Sequence, residues 1–249
     1  MFVLVFWGLT RSLRYTISSI ETYILNVLKS RNIPYKIVMH TYRLSTPYTN
    51  SRARENNIML DNDEYTLLNP DKIIIEDQDT VKSLLGLHEY RTHPDPWNSQ
   101  YQTVDNFVLA MYSKMKATQL AETYSPSSII FLRPDVQYIT PLPLLTIKHD
   151  QIIIPDFHLY QRMNDRFAIC TEHTYKIYGN IFPILLSYSK QYPLHSETCY
   201  AKYLLHNKIR LRHIPFYFIR IRANGETDKR DYSIRSNVQP SEDKHDSIV

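Results

Sequence analysis

The first apolar segment constrains the fold more than any other feature of the chain. Residues 2–7 read Phe-Val-Leu-Val-Phe-Trp without interruption and end at Gly8. A strand with one face in water would alternate polar and apolar residues, so an unbroken run fits a strand buried on both faces, as in a parallel sheet covered by helices. The run is too short to cross a bilayer and lacks the basic leader of a signal peptide, since Arg11 and Arg14 follow it rather than precede it. A helix is expected over residues 15–30, where Ile17, Ile20, Ile24, Leu25, Val27 and Leu28 recur near helical spacing until Asn32-Ile33-Pro34 stops them. Residues 35–40 then read as a second strand, completing a βαβ unit with a right-handed crossover.

Further along, residues 43–103 are polar and broken by prolines, with one apolar run at 72–76, and read as loops and insertions. A long helix is expected over 104–123. Strands are expected at 128–132, 136–139, 151–154 and 166–169. A helical segment over 173–189 is interrupted by Gly179 and Pro183; a shorter helix spans 197–205, and a late strand spans 214–221. From residue 223 to 249 apolar residues almost vanish, so one domain over 1–222 with a polar, partly disordered tail is expected. The fold class is therefore α/β, a Rossmann-like, mostly parallel central sheet flanked by helices. Ligands in such sheets sit at the carboxyl ends of the strands, which directs attention to Gly8–Arg11, Arg133–Asp135, Asp156 and Asn164–Arg166.

Composition removes several function classes. Four glycines in 249 residues assemble neither a P-loop nor a GxGxxG turn, so any nucleotide must be held by other means. Twenty-nine basic against 25 acidic residues give +4, without the dense basic stripe of a nucleic-acid binder. Cys170 and Cys199 form no pattern, which excludes a disulfide scaffold and points to a reducing compartment, the cytoplasm.

Four clusters are candidates for chemistry. The apolar strand at 128–132 delivers Arg133-Pro134-Asp135 to its carboxyl end; a carboxylate there suits a divalent cation, or simply a turn. Asn106 and Lys114 are eight residues apart and share a helix face. Asn164-Asp165-Arg166 precedes a short strand, and His195-Ser196-Glu197 opens a helix, with Ser196 placed to cap it. Arg220 and Arg222 alternate on one face of the late strand, suited to a diphosphate.

In their order, Gly8-Leu-Thr-Arg11, Asn106, Tyr112-Ser-Lys114, Arg133-Pro-Asp135-Val, Asn164-Asp-Arg-Phe-Ala168 and His195-Ser-Glu197 resemble the GT-A glycosyltransferases. The likeness is to the small viral, algal and bacterial group with Arg-Pro-Asp in place of Asp-x-Asp, and spans roughly residues 2–222. The resemblance implies a UDP- or GDP-linked sugar donor and a hydroxyl acceptor on a glycan or glycoprotein. It implies donor contacts from Gly8, Thr10, Arg11, Asn106, Lys114, Arg133, Asp135, Asn164, Arg166, Arg220 and Arg222. Glu197 takes the place of the catalytic base, with Asp165 in reserve, and His213 that of a late metal-binding histidine. Asp135 occupies the second Asp position and Arg133 the first, leaving two outcomes: one Mn²⁺ or Mg²⁺ held by Asp135, or a site where Arg133 partly replaces the metal. The short apolar run and the mild charge lead to the expectation of no transmembrane segment and no nucleic-acid partner, and a viral member would lie in the host cytoplasm. The rival expectations are a non-catalytic nucleotide-sugar or carbohydrate module of the same fold, and a basic nucleic-acid-binding protein.

Overall fold

A computed structural model describes residues 1–95 and 97–237, with the side chains of 235–237 left out. The strands are β1 (Phe2–Trp7), β2 (Tyr35–Arg43), β3 (Tyr48–Asn50), β4 (Glu55–Ile58), β5 (Lys72–Asp77), β6 (Ser128–Leu132), β7 (Val136–Tyr138), β8 (Gln151–Pro155), β9 (Ala168–Thr171), β10 (Arg210–Ile214) and β11 (Phe218–Arg220). The α-helices are α1 (Leu13–Ile20), α2 (Asn26–Ser30), α3 (Gln78–Leu85), α4 (Gln102–Glu122), α5 (Tyr175–Gly179), α6 (Leu185–Ser189), α7 (Ser196–His206) and α8 (Tyr232–Asn237). A π-helical turn, Glu21–Leu25, joins α1 to α2 and completes the first crossover.

The central sheet has seven strands in the order β10-β8-β9-β6-β1-β2-β5. Every neighbouring pair is parallel except those of β9, which runs antiparallel to β6 and β8. This is the mixed α/β architecture with a mostly parallel sheet expected from the sequence. The alternation of β1 explains why it is apolar throughout. Val3, Val5 and Trp7 enter a core under α4 and α5, whereas Leu4 and Phe6 enter a second core with Leu13, Ile20 and Ile24 from the first crossover. Burying such a side chain contributes about 1.5–3 kcal/mol, so both faces of the central strand hold the layers together.

Strand order reverses beside β1: β2 and β5 lie on one side, and the chain returns to place β6 on the other. That switch point opens a crevice at the carboxyl edge. Because β9 is reversed, its amino end lies at the same edge, which is how residues 164–166, ahead of a strand rather than after one, join the crevice.

Some expectations shift. The strand expected at 166–169 is β9 at Ala168–Thr171, and the late strand expected at 214–221 is the shorter β11; β10, of which only Ile214 falls in the expected span, ends just before Pro215, which has no N–H to donate to a ladder. The segment 43–103 is more ordered than loops: the β3–β4 hairpin, the edge strand β5 and α3 lie within it. The residues of the expected polar tail divide as well. Ala223, Asp228, Asp231 and Ile234 are buried, while 238–249 lie outside the described residues. Among the described residues no helix is long and apolar enough to cross a membrane.

Gly179 ends α5 directly against Thr118 of α4, and a Cβ there would collide with the Thr118 side chain. Gly179→Ala is therefore expected to destabilise the protein by about 1–3 kcal/mol, read as a lower midpoint in urea unfolding; Thr118→Ala in the same chain, which removes both the hydroxyl and the methyl that the new Cβ meets, should recover part of it.

Candidate active site

A cleft of about 550 Å³ lies at the switch point. It lies within the range of small-molecule sites. Its floor comes from the turn after β1 and the turn after β6, its far walls from the β3–β4 hairpin, the residues before β9, the start of α7 and the end of β11.

Gly8 leaves β1 with φ +90°, a conformation that side-chain-bearing residues rarely adopt. Its N–H donates to Ser113 Oγ on α4 at 2.8 Å, and Ser113 Oγ in turn lies 2.7 Å from His40 Nδ1. The loop is thereby fixed and carries Arg11 inward. Arg11 is 8% exposed. Its Nη2 donates to Asp135 Oδ2 at 2.7 Å and its Nη1 to Glu55 Oε2 at 3.3 Å and to the Tyr48 hydroxyl. Arg133 grips the same carboxylate from the other side, Nε to Oδ1 at 2.7 Å and Nη2 to Oδ2 at 2.6 Å. Burial alone would raise the Asp135 pKa; Arg133 and Arg11 reverse that and hold it well below the usual carboxylate range. For Arg11 burial opposes the charge, yet Tyr48, Asp135 and Glu55 outweigh it and raise its pKa.

This donor set does not fit a divalent cation. Both Asp135 oxygens are occupied by guanidinium donors. A cation beside them would meet two like charges, each costing about 4 kcal/mol per unit charge at 4 Å near a protein surface. No group of three or more His, Cys, Asp or Glu suited to a metal occurs among the described residues. His213 is no help, because its ring contacts the Arg162 carbonyl at 2.8 Å and does not line the cleft.

The opposite wall carries the second pair of carboxylates. Asn164 is fully buried; its Nδ2 donates to the Phe157 carbonyl and its Oδ1 accepts from the Arg166 N–H, which fixes the turn that presents Asp165 and Arg166. Ser196 does not cap α7 as expected. Its hydroxyl donates to Asp165 Oδ2 instead, tying the turn to the helix start. Glu197, in the first turn of α7, lies 3.6 Å from Arg166 Nη2 and 3.5 Å from His195 Nδ1. The two acids are pushed apart. Burial raises Glu197, and repulsion from Asp165 adds to it against the pull of Arg166; Asp165, despite its burial, is lowered by Arg166, Lys114 and the Ser196 hydroxyl. One ionised carboxylate beside one that holds its proton more tightly is the pattern of an acid–base site.

Lys114 does not reach the cleft. It is fully buried beneath it, with Nζ 4.2 Å from the Trp7 ring centre, 4.5 Å from Tyr178 and 4.8 Å from Tyr200, donating to the Tyr200 hydroxyl at 3.0 Å. Burial lowers its pKa to about 7. Thr10 is buried too; its carbonyl accepts the Leu13 N–H, and it does not line the cleft. Asp156 is exposed outside the cleft. Gly8, Arg11, Asn106, Arg133, Asp135, Asp165, Arg166, Glu197, Arg220 and Arg222 are brought together around it.

Arg220 and Arg222 are held from behind by residues beyond 222. Asp231 takes the Arg220 Nε and Nη2 at 2.9 and 2.5 Å, and Asp228 pairs with Arg222. Burial and the nearby Arg11 lower Arg222 to about 10.

No protein-family model matches the chain, and no curated protein matches it. Among solved structures, a galactosyltransferase, LgtC, in complex with donor and acceptor sugar analogs, is similar over 85% of this chain and 73% of its own, at 10% identity and a TM-score of 0.41.

Several cleft residues lie in the stretch read as insertions. Tyr48, Asn50 and Arg52 come from the β3–β4 hairpin, and Trp97 from the loop before α4. Arg52 sits 5.1 Å over the Trp97 ring, and His195 stacks on that ring at 5.6 Å, with Tyr160 4.6 Å from His195. The stack forms one continuous wall. Among the described residues, seven arginines and three acidic side chains line the cleft, giving a surface that favours an anion.

Proposed function

We propose that the protein is a glycosyltransferase that moves a sugar from a UDP- or GDP-linked donor to a hydroxyl of a glycan or glycoprotein. The observation that carries this reading is the meeting, in one switch-point cleft, of an arginine-rich floor with a carboxylate whose pKa is raised. The floor suits a diphosphate, since guanidinium groups pair with phosphate oxygens. Glu197 suits a general base, because a raised pKa brings a carboxylate nearer the operating pH.

In the proposed step the acceptor oxygen attacks the anomeric carbon and forms the new glycosidic bond. The bond from that carbon to the diphosphate oxygen breaks, and its electron pair leaves with the nucleoside diphosphate. The acceptor proton passes to Glu197, and arginines such as Arg11 and Arg133 stabilise the charge that grows on the leaving group. Asp165, ionised and tied to Ser196, is placed to accept hydrogen bonds from the donor sugar. The two cysteines are free and buried, in keeping with a reducing compartment.

Incubation with a panel of nucleotide sugars and glycan acceptors, followed by mass spectrometry, tests this. A glycosylated product and nucleoside diphosphate in equal amounts are expected. Donor binding without release across the panel would favour a non-catalytic module, and no product or binding would refute the proposal.

A further inference from the structure

We propose that the cleft binds a diphosphate directly on guanidinium groups, with Asp135 and Glu55 acting as buried counter-anions of the arginines rather than as ligands of a divalent cation. The identification of the diphosphate as part of a nucleotide sugar rests on the function proposed above; the anion site itself does not.

Three observations converge. Asp135 is 2% exposed, and its two oxygens accept three hydrogen bonds from Arg11 and Arg133, so its capacity is directed at holding those side chains in place. Glu55 does the same one layer behind. Its Oε1 accepts the Ala223 N–H at 2.7 Å, and its Oε2 lies 3.3 Å from Arg11 and 3.9 Å from Arg222. Glu55 does not line the cleft, so its negative charge stands behind Arg11 and Arg222.

The second observation is an unmet donor. Arg11 Nε is buried and has no hydrogen-bond partner, although the residue lines the cleft. A buried donor left unpaired is costly, and a phosphate oxygen is the kind of acceptor that satisfies it. Arg133 is similarly poised: Nε and Nη2 are committed to Asp135, which leaves Nη1 for a ligand.

The third is uncompensated charge across the cleft. Arg52 has no ion pair within 4 Å among the described residues. Burial lowers its pKa, as do Arg230, Arg220 and Arg166, and Glu197 on the same wall, of opposite charge, raises it. An anion with oxygens at both ends, as in a diphosphate, would bridge the Arg11–Arg133 pair and this second group.

Inorganic pyrophosphate and UDP, titrated by calorimetry with EDTA and again with Mn²⁺, test the proposal. Pyrophosphate is expected to bind one to one in EDTA, with a Kd that changes by no more than about twofold when Mn²⁺ replaces the chelator. Mn²⁺ alone, followed by electron paramagnetic resonance, is expected to remain free. Arg133→Met should weaken pyrophosphate by about tenfold or more, whereas a metal site at Asp135 would be relieved by the same change and bind Mn²⁺ better. Pyrophosphate binding that needs Mn²⁺, one Mn²⁺ held by the wild-type protein, or no pyrophosphate binding in either condition would overturn the proposal. Pyrophosphate binding in EDTA without binding of any nucleotide sugar would uphold the guanidinium site and instead refute the glycosyltransferase reading.

Discussion

Glu197→Gln is expected to lower kcat by about a hundredfold to ten-thousandfold, the contribution of a positioned general base, while leaving the Kd for the donor within about twofold. Gln keeps the size of the side chain and its place in the first turn of α7, but it cannot take the acceptor proton. The pH dependence carries the same signature. Burial and the Asp165 charge raise the Glu197 pKa, so the acid limb of kcat should lie above the ordinary glutamate value of about 4.3. The rate should rise with pH as Glu197 loses its proton. Arg166 opposes the shift, so Arg166→Met should move the limb to still higher pH. Turnover by Glu197→Gln close to wild type would exclude Glu197 as the base.

Asp135→Ala is expected to destabilise the protein by about 3–5 kcal/mol, because removal of one partner leaves half-buried Arg133 without its counter-charge and buried Arg11 with Glu55 alone. For a chain of this size that is a drop in Tm of roughly 6–20 °C. The sign with pH follows from the lowered Asp135 pKa. The stabilisation is complete above the unfolded value of about 3.9 and is lost as pH falls through the folded value. The gap between wild type and variant should therefore be constant near neutrality and narrow in strong acid. A variant with wild-type Tm at neutral pH would show that the Arg11–Asp135–Arg133 cluster does not hold the site together.

Much of this cleft is legible in the sequence because the site is built from short polar clusters between apolar segments. Gly8–Arg11, Arg133–Asp135, Asn164–Arg166 and His195–Glu197 each interrupt a strand or open a helix, and strand ends of an α/β sheet converge. Tyr48, Arg52, Glu55 and Trp97 are not legible in the same way. They sit in a stretch whose three- and four-residue strands carry no usable periodicity, and only the fold brings them over the carboxyl edge. Nor is the direction of β9 legible, since four apolar residues look the same in either sense.

Lys114 shows the limit of helical spacing. It shares a face with Asn106, but eight residues advance about 12 Å along a helix, enough for Asn106 to line the cleft while Lys114 lies under its floor. Arg220 and Arg222 show the opposite case. Their alternation within a strand breaks down, because β11 ends at Arg220, yet Asp228 and Asp231 from the polar stretch beyond draw both side chains to the same cleft. Composition marked that stretch as separate because it is polar; its carboxylates are what join it to the site.

On the proposed function this cleft receives a nucleotide sugar. Calorimetry of the purified protein with UDP- and GDP-sugars, alongside a single-stranded oligonucleotide of matched charge, tests it most directly. One-to-one binding of a nucleotide sugar, weakened by Arg11→Met and absent for the oligonucleotide, is the predicted result. No binding of any nucleotide sugar, or oligonucleotide binding with a steep salt dependence, would contradict it.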